Sequence, residues 1–184
     1  MNDFLVYYVF IFIFGLVIGS FLNVCIYRIP EGISLNGRSS CRSCDAKISW
    51  YDLIPLVSYV LLAGRCRKCR AKISIQYPLI EALNGLLYVL VFYFYGFENL
   101  ADILVGSVYC LVISALLALS VIDLRTNTIP LGFNIFIGLA GVLTALISFF
   151  LYGRDMAVLI DHGLGFLSVS VLLYLIYLAS RGRA

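Results

Sequence analysis

Five stretches of the chain are almost unbroken runs of apolar residues, near 4–27, 77–97, 102–124, 131–152 and 157–179. Each is about 20 residues long, the length an α-helix needs to cross the hydrocarbon core of a bilayer. The connections between them are unequal. The first, from Arg28 to Gln76, is long and polar; the others run to several residues each, room for little more than a turn. The pattern predicts an all-α fold, a polytopic membrane helix bundle of about five transmembrane helices with one small globular element in the 28–76 loop. The first run follows Met1-Asn2-Asp3 without a basic lead and continues to about Ile26, longer than the apolar region of a cleavable signal peptide, so it predicts a retained signal anchor.

Composition agrees. Hydrophobic residues make up 62% of the 184 and charged residues 12%, with a mean hydropathy of +1.02, whereas a soluble domain is about half apolar. A soluble domain is excluded. The net charge of +3 carries less information than its distribution, because Lys and Arg in short loops favour the cytosolic side. The first loop holds nine of the thirteen: Arg28, Arg38, Arg42, Lys47, Arg65, Arg67, Lys68, Arg70 and Lys72. The others are Arg125 in the third connection, Arg154 in the fourth, and Arg181 and Arg183 in the tail. An outside amino terminus puts all but Arg154 in the cytosol, together with the loop and the end of the third span.

That loop contains a repeat. Residues 41–49 read Cys-Arg-Ser-Cys-Asp-Ala-Lys-Ile-Ser and residues 66–74 read Cys-Arg-Lys-Cys-Arg-Ala-Lys-Ile-Ser, agreeing at seven of nine positions. Two Cys-x-x-Cys pairs at this separation suit a tetrahedral thiolate site, since each pair forms a knuckle able to bring two sulfurs to one ion. Cys41, Cys44, Cys66 and Cys69 are therefore candidate zinc ligands, with disulfides or free thiols as the alternative. The loop has too few apolar residues to fold without such a staple. Four cysteines leave no open coordination position, so the zinc expected here is structural. Cys25 and Cys110, inside apolar runs, read as small packed thiols. Leu53–Ala63 is apolar but too short to cross. With Trp50, Tyr51 and Tyr59 it predicts a segment lying at the membrane interface. Gly15, Gly19, Gly138, Gly163 and Gly165 predict close helix approaches.

Asp123 ends the third apolar run, before Leu124-Arg125-Thr126-Asn127-Thr128-Ile129-Pro130. A carboxylate at this depth predicts a functional role. The competing reading is a helix-end residue paired with Arg125 or capping the turn through Thr126 and Thr128. Aspartic proteolysis needs a second carboxyl group, because one must be ionised to activate water while the other stays protonated to polarise the scissile carbonyl. Asp155, Asp161 and His162 lie near the opposite membrane face, which leaves Glu81, near Asn84 in the second span, as the in-chain substitute.

The chain resembles the bacterial type IV prepilin leader peptidases. The resemblance rests on Gly19-Ser20-Phe21-Leu22-Asn23-Val24, Tyr27-Arg28-Ile29-Pro30, the two cysteine knuckles, Trp50-Tyr51-Asp52 with Ile54-Pro55, Gly64-Arg65-Cys66, Ile73-Ser74, Tyr77-Pro78-Leu79-Ile80-Glu81, and Asp123 followed by Ile129-Pro130. It implies an inner-membrane enzyme that removes the basic leader of type IV prepilins or pseudopilins on the cytosolic side. The same enzyme then methylates the new amino terminus with S-adenosylmethionine, in type IV pilus biogenesis or type II secretion. It implies Asp123 as one of two catalytic aspartates, the four cysteines as the zinc site, and Gly64 and Arg65 as contributors to methyl-donor binding. Substrates and lipid are the expected partners; nucleic acid is not. The first knuckle lacks the proline usual after its first cysteine, and the Gly-x-Gly-Asp motif of the second aspartate does not occur. In the family that motif follows a basic linker like Arg181-Gly182-Arg183-Ala184, so a truncated peptidase is expected. Residues 1–97 then form an amino-terminal part with two spans and the loop, and 98–184 a partial peptidase domain with three. The alternative is a shortened, non-proteolytic homologue acting as a zinc-containing membrane assembly or binding subunit.

Overall fold

The computed structural model describes residues 2–152 together with 156, 157, 160, 163–165 and 167. Four long helices dominate it: α1 (Asn2–Arg28), α3 (Gln76–Tyr95), α4 (Leu100–Thr126) and α5 (Leu131–Leu151). All four are long and apolar enough to cross a membrane, and they make the chain a multi-pass membrane protein. They coincide with the first four predicted runs; the fifth, 157–179, lies largely outside the described residues. The loop between α1 and α3 contains a single 3₁₀ turn (Trp50–Leu53) and one short helix, α2 (Val57–Leu61).

Local chemistry sets the helix ends. Asn99 caps α4, its side-chain oxygen accepting from the Asp102 N–H at 2.9 Å. Gly96, at φ +76, closes α3 with its N–H on the Phe92 carbonyl. Asn127 closes α4 in the left-handed region, its N–H donating to the Asp123 carbonyl at 2.8 Å. Pro130 then precedes α5, where its missing N–H is not needed.

In lipid, helices gain nothing from burying apolar surface against one another, so they associate through close packing and hydrogen bonds. Helices α1 and α3 meet through glycines. A Cβ on Gly15 would lie 2.7 Å from the Gly85 Cα, and one on Gly19 would lie 2.8 Å from the Glu81 Cα. Backbone this close leaves room for hydrogen only. Asn84, fully buried, donates to the Gly15 carbonyl at 2.8 Å and accepts from Ser114 of α4 at 2.8 Å. Tyr88 joins its hydroxyl to Ser114 at 2.9 Å. One polar chain thus ties three helices together at mid-membrane. Towards the loop, Leu22, Ile26, Ile80, Ala118 and Ile122 form an apolar cluster from the same three helices. Helix α5 packs on α4 through a narrow face of Ala140, Thr144 and Ser148 and otherwise exposes apolar side chains. The expectation for glycine holds at Gly15 and Gly19 but not at Gly138, where a Cβ would meet nothing within 4 Å among the described residues; most neighbours of Gly163 and Gly165 in the chain lie outside those residues.

Gly15→Ala and Gly19→Ala must therefore part α1 from α3. Each is expected to cost about 1–3 kcal/mol, read as a fall in thermal unfolding midpoint in detergent, while Gly138→Ala leaves the midpoint unchanged.

Candidate functional site

The two repeats fold alike. In the first, the Cys41 N–H donates to the Ala46 carbonyl, the Asp45 N–H to the Cys41 carbonyl and the Ile48 N–H to the Ser39 carbonyl. In the second, the Cys66, Arg70 and Ile73 N–H groups bond to the Ala71, Cys66 and Gly64 carbonyls, position for position. Bridges pair Ser40 with Lys47 and Arg65 with Lys72, and Asp45 and Arg70 both adopt positive φ, +52° and +60°. Sequence similarity here means identical backbone. Each knuckle turns its two sulfurs towards the other knuckle.

All four cysteines are free, and their Sγ atoms lie within 4.8 Å of one another, with Cys41 and Cys69 at 3.8 Å. Four sulfurs about 2.3 Å from a tetrahedral ion stand about 3.8 Å apart, so the cluster has the dimensions of a metal site. The thiols already behave as a competing set. The backbone N–H groups of Cys69 and Lys68 draw the Cys66 thiol down to about 6. At Cys44 the Ala46 N–H pulls the same way but is outweighed by Cys69, loss of solvent and Cys41, and the thiol rises to about 11. A divalent cation removes that conflict by neutralising several thiolates at once.

Four ties hold the loop in place. Arg28, the last residue of α1, points its guanidinium at the carbonyls of Ser34, Leu35, Asn36 and Arg38, at 3.0–3.4 Å, and so shapes the lead into the first knuckle. Asp52, from the Trp-Tyr-Asp turn, takes a bidentate grip from Arg67 of the second knuckle at 2.7–3.2 Å, and that hydrogen bonding holds its carboxyl below the usual carboxylate range. Glu81 is buried in the α1–α3 seam, and its Oε2 accepts the Leu56 N–H at 2.9 Å, anchoring the apolar segment between the knuckles. Tyr59 tucks beneath Gly64, where a φ of +64 and a Cβ that would lie 2.9 Å from the tyrosine hydroxyl both disfavour a side chain. The segment expected at the interface folds as the 3₁₀ turn and α2, with Trp50, Val60 and Leu61 74–78% exposed. Tyr59 departs from that expectation by turning into the loop.

Beneath the loop, against the ends of α1 and α3, is a cavity of about 980 Å³, at the upper end of small-molecule sites. Its wall includes Asn23, Tyr27, Asp52 and Glu81. Asn23 is 2% exposed; its amide nitrogen donates to the Gly19 and Tyr77 carbonyls, and its oxygen has no partner. Gly64 and Arg65 lie outside this wall.

Asp123 occupies the last turn of α4 on the same side as the loop, with its side chain exposed. It is a helix-end residue, but the pairing with Arg125 and the capping through Thr126 and Thr128 are not seen. Thr126 and Thr128 bond to each other at 2.6 Å, and Thr126 also bonds to the Ile122 carbonyl. Arg125 is two residues away, and positions i and i+2 do not face each other on a helix; it lies instead over the Tyr27 ring, 4.0 Å from the centroid. Among the described residues no ion pair or side-chain hydrogen bond engages the Asp123 carboxylate. Glu81, the suggested substitute carboxyl, is committed to Leu56; Asp155, Asp161 and His162 lie outside the described residues. Sequence reasoning missed Arg28, Asn23 and the Asp52–Arg67 pair as working parts. Their motifs were visible, but their partners are backbone groups or side chains remote in sequence.

Asp52→Asn leaves one knuckle without its bidentate tie. It is expected to weaken metal affinity about two- to fivefold, the modest effect of a pair whose arginine is solvent-exposed, as measured by competition with a chromophoric chelator.

Comparison with known proteins bears on the same residues. A family model described as Bacterial Peptidase A24 N-terminal domain matches residues 13–95, from the middle of α1 to the end of α3. A protein of Myxococcus xanthus (strain DK1622) named prepilin leader peptidase/N-methyltransferase is 38% identical over 170 residues, 90% of this chain and 48% of its own length. Proteins of the same name are 39% identical in Klebsiella pneumoniae, over 73% of this chain and 60% of the relative, and 47% identical in Vibrio cholerae, over 41% and 34%. The chain spans about half the length of the curated relatives it matches. No solved structure matches it. With its fold, its cysteine cluster and these likenesses in agreement, the chain belongs to the prepilin leader peptidase/N-methyltransferase family.

Proposed function

We propose that the chain acts in cleaving the leader from type IV prepilins or pseudopilins and in methylating the amino terminus so formed, for pilus biogenesis or type II secretion. The observation that supports the peptidase reading is the placement of an exposed Asp123 carboxylate at the loop-side end of α4, with no ion pair or side-chain hydrogen bond to it among the described residues. A carboxylate without an ion pair or cap at a helix end is available to take a proton from water. In this reading Asp123 works with a second carboxyl group from outside the described residues, one ionised and the other protonated, and the ionised one receives a proton as water attacks the scissile carbonyl. Glu81 anchors the loop instead. The concentration of Lys and Arg in that loop supports an outside amino terminus in the bacterial inner membrane, with the loop and Asp123 in the cytosol. Residues 1–97 serve as the methylation part and 98–184 as part of the peptidase.

Cys41, Cys44, Cys66 and Cys69 hold zinc, whose chemistry here is structural: it closes the loop and offers no open coordination position. S-adenosylmethionine, when bound, would supply a sulfonium methyl group that a neutral amine takes, the thioether leaving and the new ammonium then giving up a proton. The cavity under the loop suits it in size, in carrying side chains of both charges, and in the unpartnered Asn23 oxygen on its wall. Asn23 and Tyr27, on its wall, would orient the donor there. Gly64 and Arg65 contribute through the second knuckle, which they shape, rather than by touching the donor. The reading of the chain as a non-proteolytic assembly subunit is not favoured by any feature of the site.

In the full-length natural protein, Asp123→Asn is expected to reduce leader removal from a prepilin by about 10³-fold or more, followed by mass spectrometry, with metal content unchanged. Wild-type-like cleavage by that variant would sink the peptidase reading. Elemental analysis is expected to find one zinc per chain, lost in Cys66→Ser. The circular dichroism of the membrane helices should survive that loss, while the loop becomes sensitive to trypsin.

A further inference from the structure

Tyr27 stands where four elements meet. It lies in the last turn of α1, its ring stacks at 5.5 Å on Tyr77 in the first turn of α3, and two guanidinium groups close on it. Arg42, between the two cysteines of the first knuckle, has its Cζ 3.6 Å from the ring centroid. Arg125, two residues beyond Asp123 at the end of α4, has its Cζ 4.0 Å from the same point. Two cations drawn this close repel each other unless something negative is shared between them, and the electron-rich ring face supplies it. Arg42 has a further partner in Glu31 at 3.8 Å, which leaves Arg125 the more dependent on the ring.

Arg42 is held in place by its knuckle, since Cys41 and Cys44 flank it. The metal centre thereby fixes one guanidinium, the ring relays that position, and the second guanidinium fixes the end of α4. We propose that Tyr27 is a positioning residue that couples the metal centre to the end of α4, and so to Asp123. Its bearing on cleavage rests on the peptidase reading above; the coupling itself does not. Loss of metal frees Arg42, weakens the bracket and lets the last turn of α4 open. Removing the ring converts attraction into repulsion between Arg42 and Arg125, with the same result while metal remains bound.

Hydrogen–deuterium exchange of the amides of residues 122–128, in the metal-loaded full-length protein in lipid nanodiscs, tests this. Chelation is expected to speed exchange in the wild type and in Tyr27→Phe, which keeps the ring, by about fivefold, as for loss of one desolvated cation–π contact. Tyr27→Leu and Arg125→Gln should exchange fast from the start and not respond to chelation. Arg125→Gln is decisive, because Arg125 belongs to α4 and not to either knuckle, so the variant should keep full metal content. Coupling is overturned if wild-type exchange ignores chelation, or if Arg125→Gln responds as the wild type does. In leader-cleavage assays Arg125→Gln should lower kcat with little change in KM, and an unchanged kcat would overturn the positioning role. Metal-dependent exchange in a wild-type protein that cleaves no prepilin would support the coupling and count only against the peptidase reading.

Discussion

The contact between α1 and α3 governs the rest of the molecule. In lipid the helices associate only as closely as their side chains allow, and Gly15, Gly19 and Gly85 remove the side chains where the two backbones cross. That approach brings the Gly15 carbonyl within reach of Asn84, which in turn recruits Ser114 and α4. It also determines how far apart the ends of α1 and α3 stand, and the loop is suspended between those ends. A wider crossing would move Arg28 and Glu81 off their loop partners and spread the floor of the cavity.

On that base the loop is assembled almost entirely from polar ties. It buries little apolar surface: the residues between the knuckles that are most hydrophobic, Val60 and Leu61, face outward. Its order comes from the Arg28 guanidinium gathering carbonyls, from Asp52 gripping Arg67, from Glu81 receiving the Leu56 N–H, and from the four converging sulfurs. Such ties are directional and fall away together when one end moves, unlike a hydrophobic core, which tolerates adjustment.

Features with a sequence period or a repeat were legible in advance. Four spans announced themselves by length and hydropathy, and the duplicated nine-residue segment announced both knuckles, though not the left-handed turns at Asp45 and Arg70 that follow each second cysteine. Asp123 was legible as an anomaly, a charge at the end of an apolar run. What escaped, apart from the convergence of the four cysteines, was the set of interactions whose partners are distant in sequence. Nothing local about Glu81 says that it accepts from Leu56, and Tyr27-Arg28 gives no sign that one side chain meets two arginines while the other organises backbone. Arg125 was read with Asp123 because they are neighbours on paper, whereas helical geometry turns them apart.

Four residues of the loop other than glycine, Asp45, Leu56, Ala63 and Arg70, sit at φ between +50° and +60°. A side chain in that region costs of order 1 kcal/mol or more, so the loop carries several such penalties at once, two of them in the knuckles and one at the residue that meets Glu81. An isolated peptide of this sequence has every incentive to relax them. The loop is therefore under tension, kept in shape by the ligands and anchors around it, and its release is a collapse of shape throughout rather than a local opening at one knuckle.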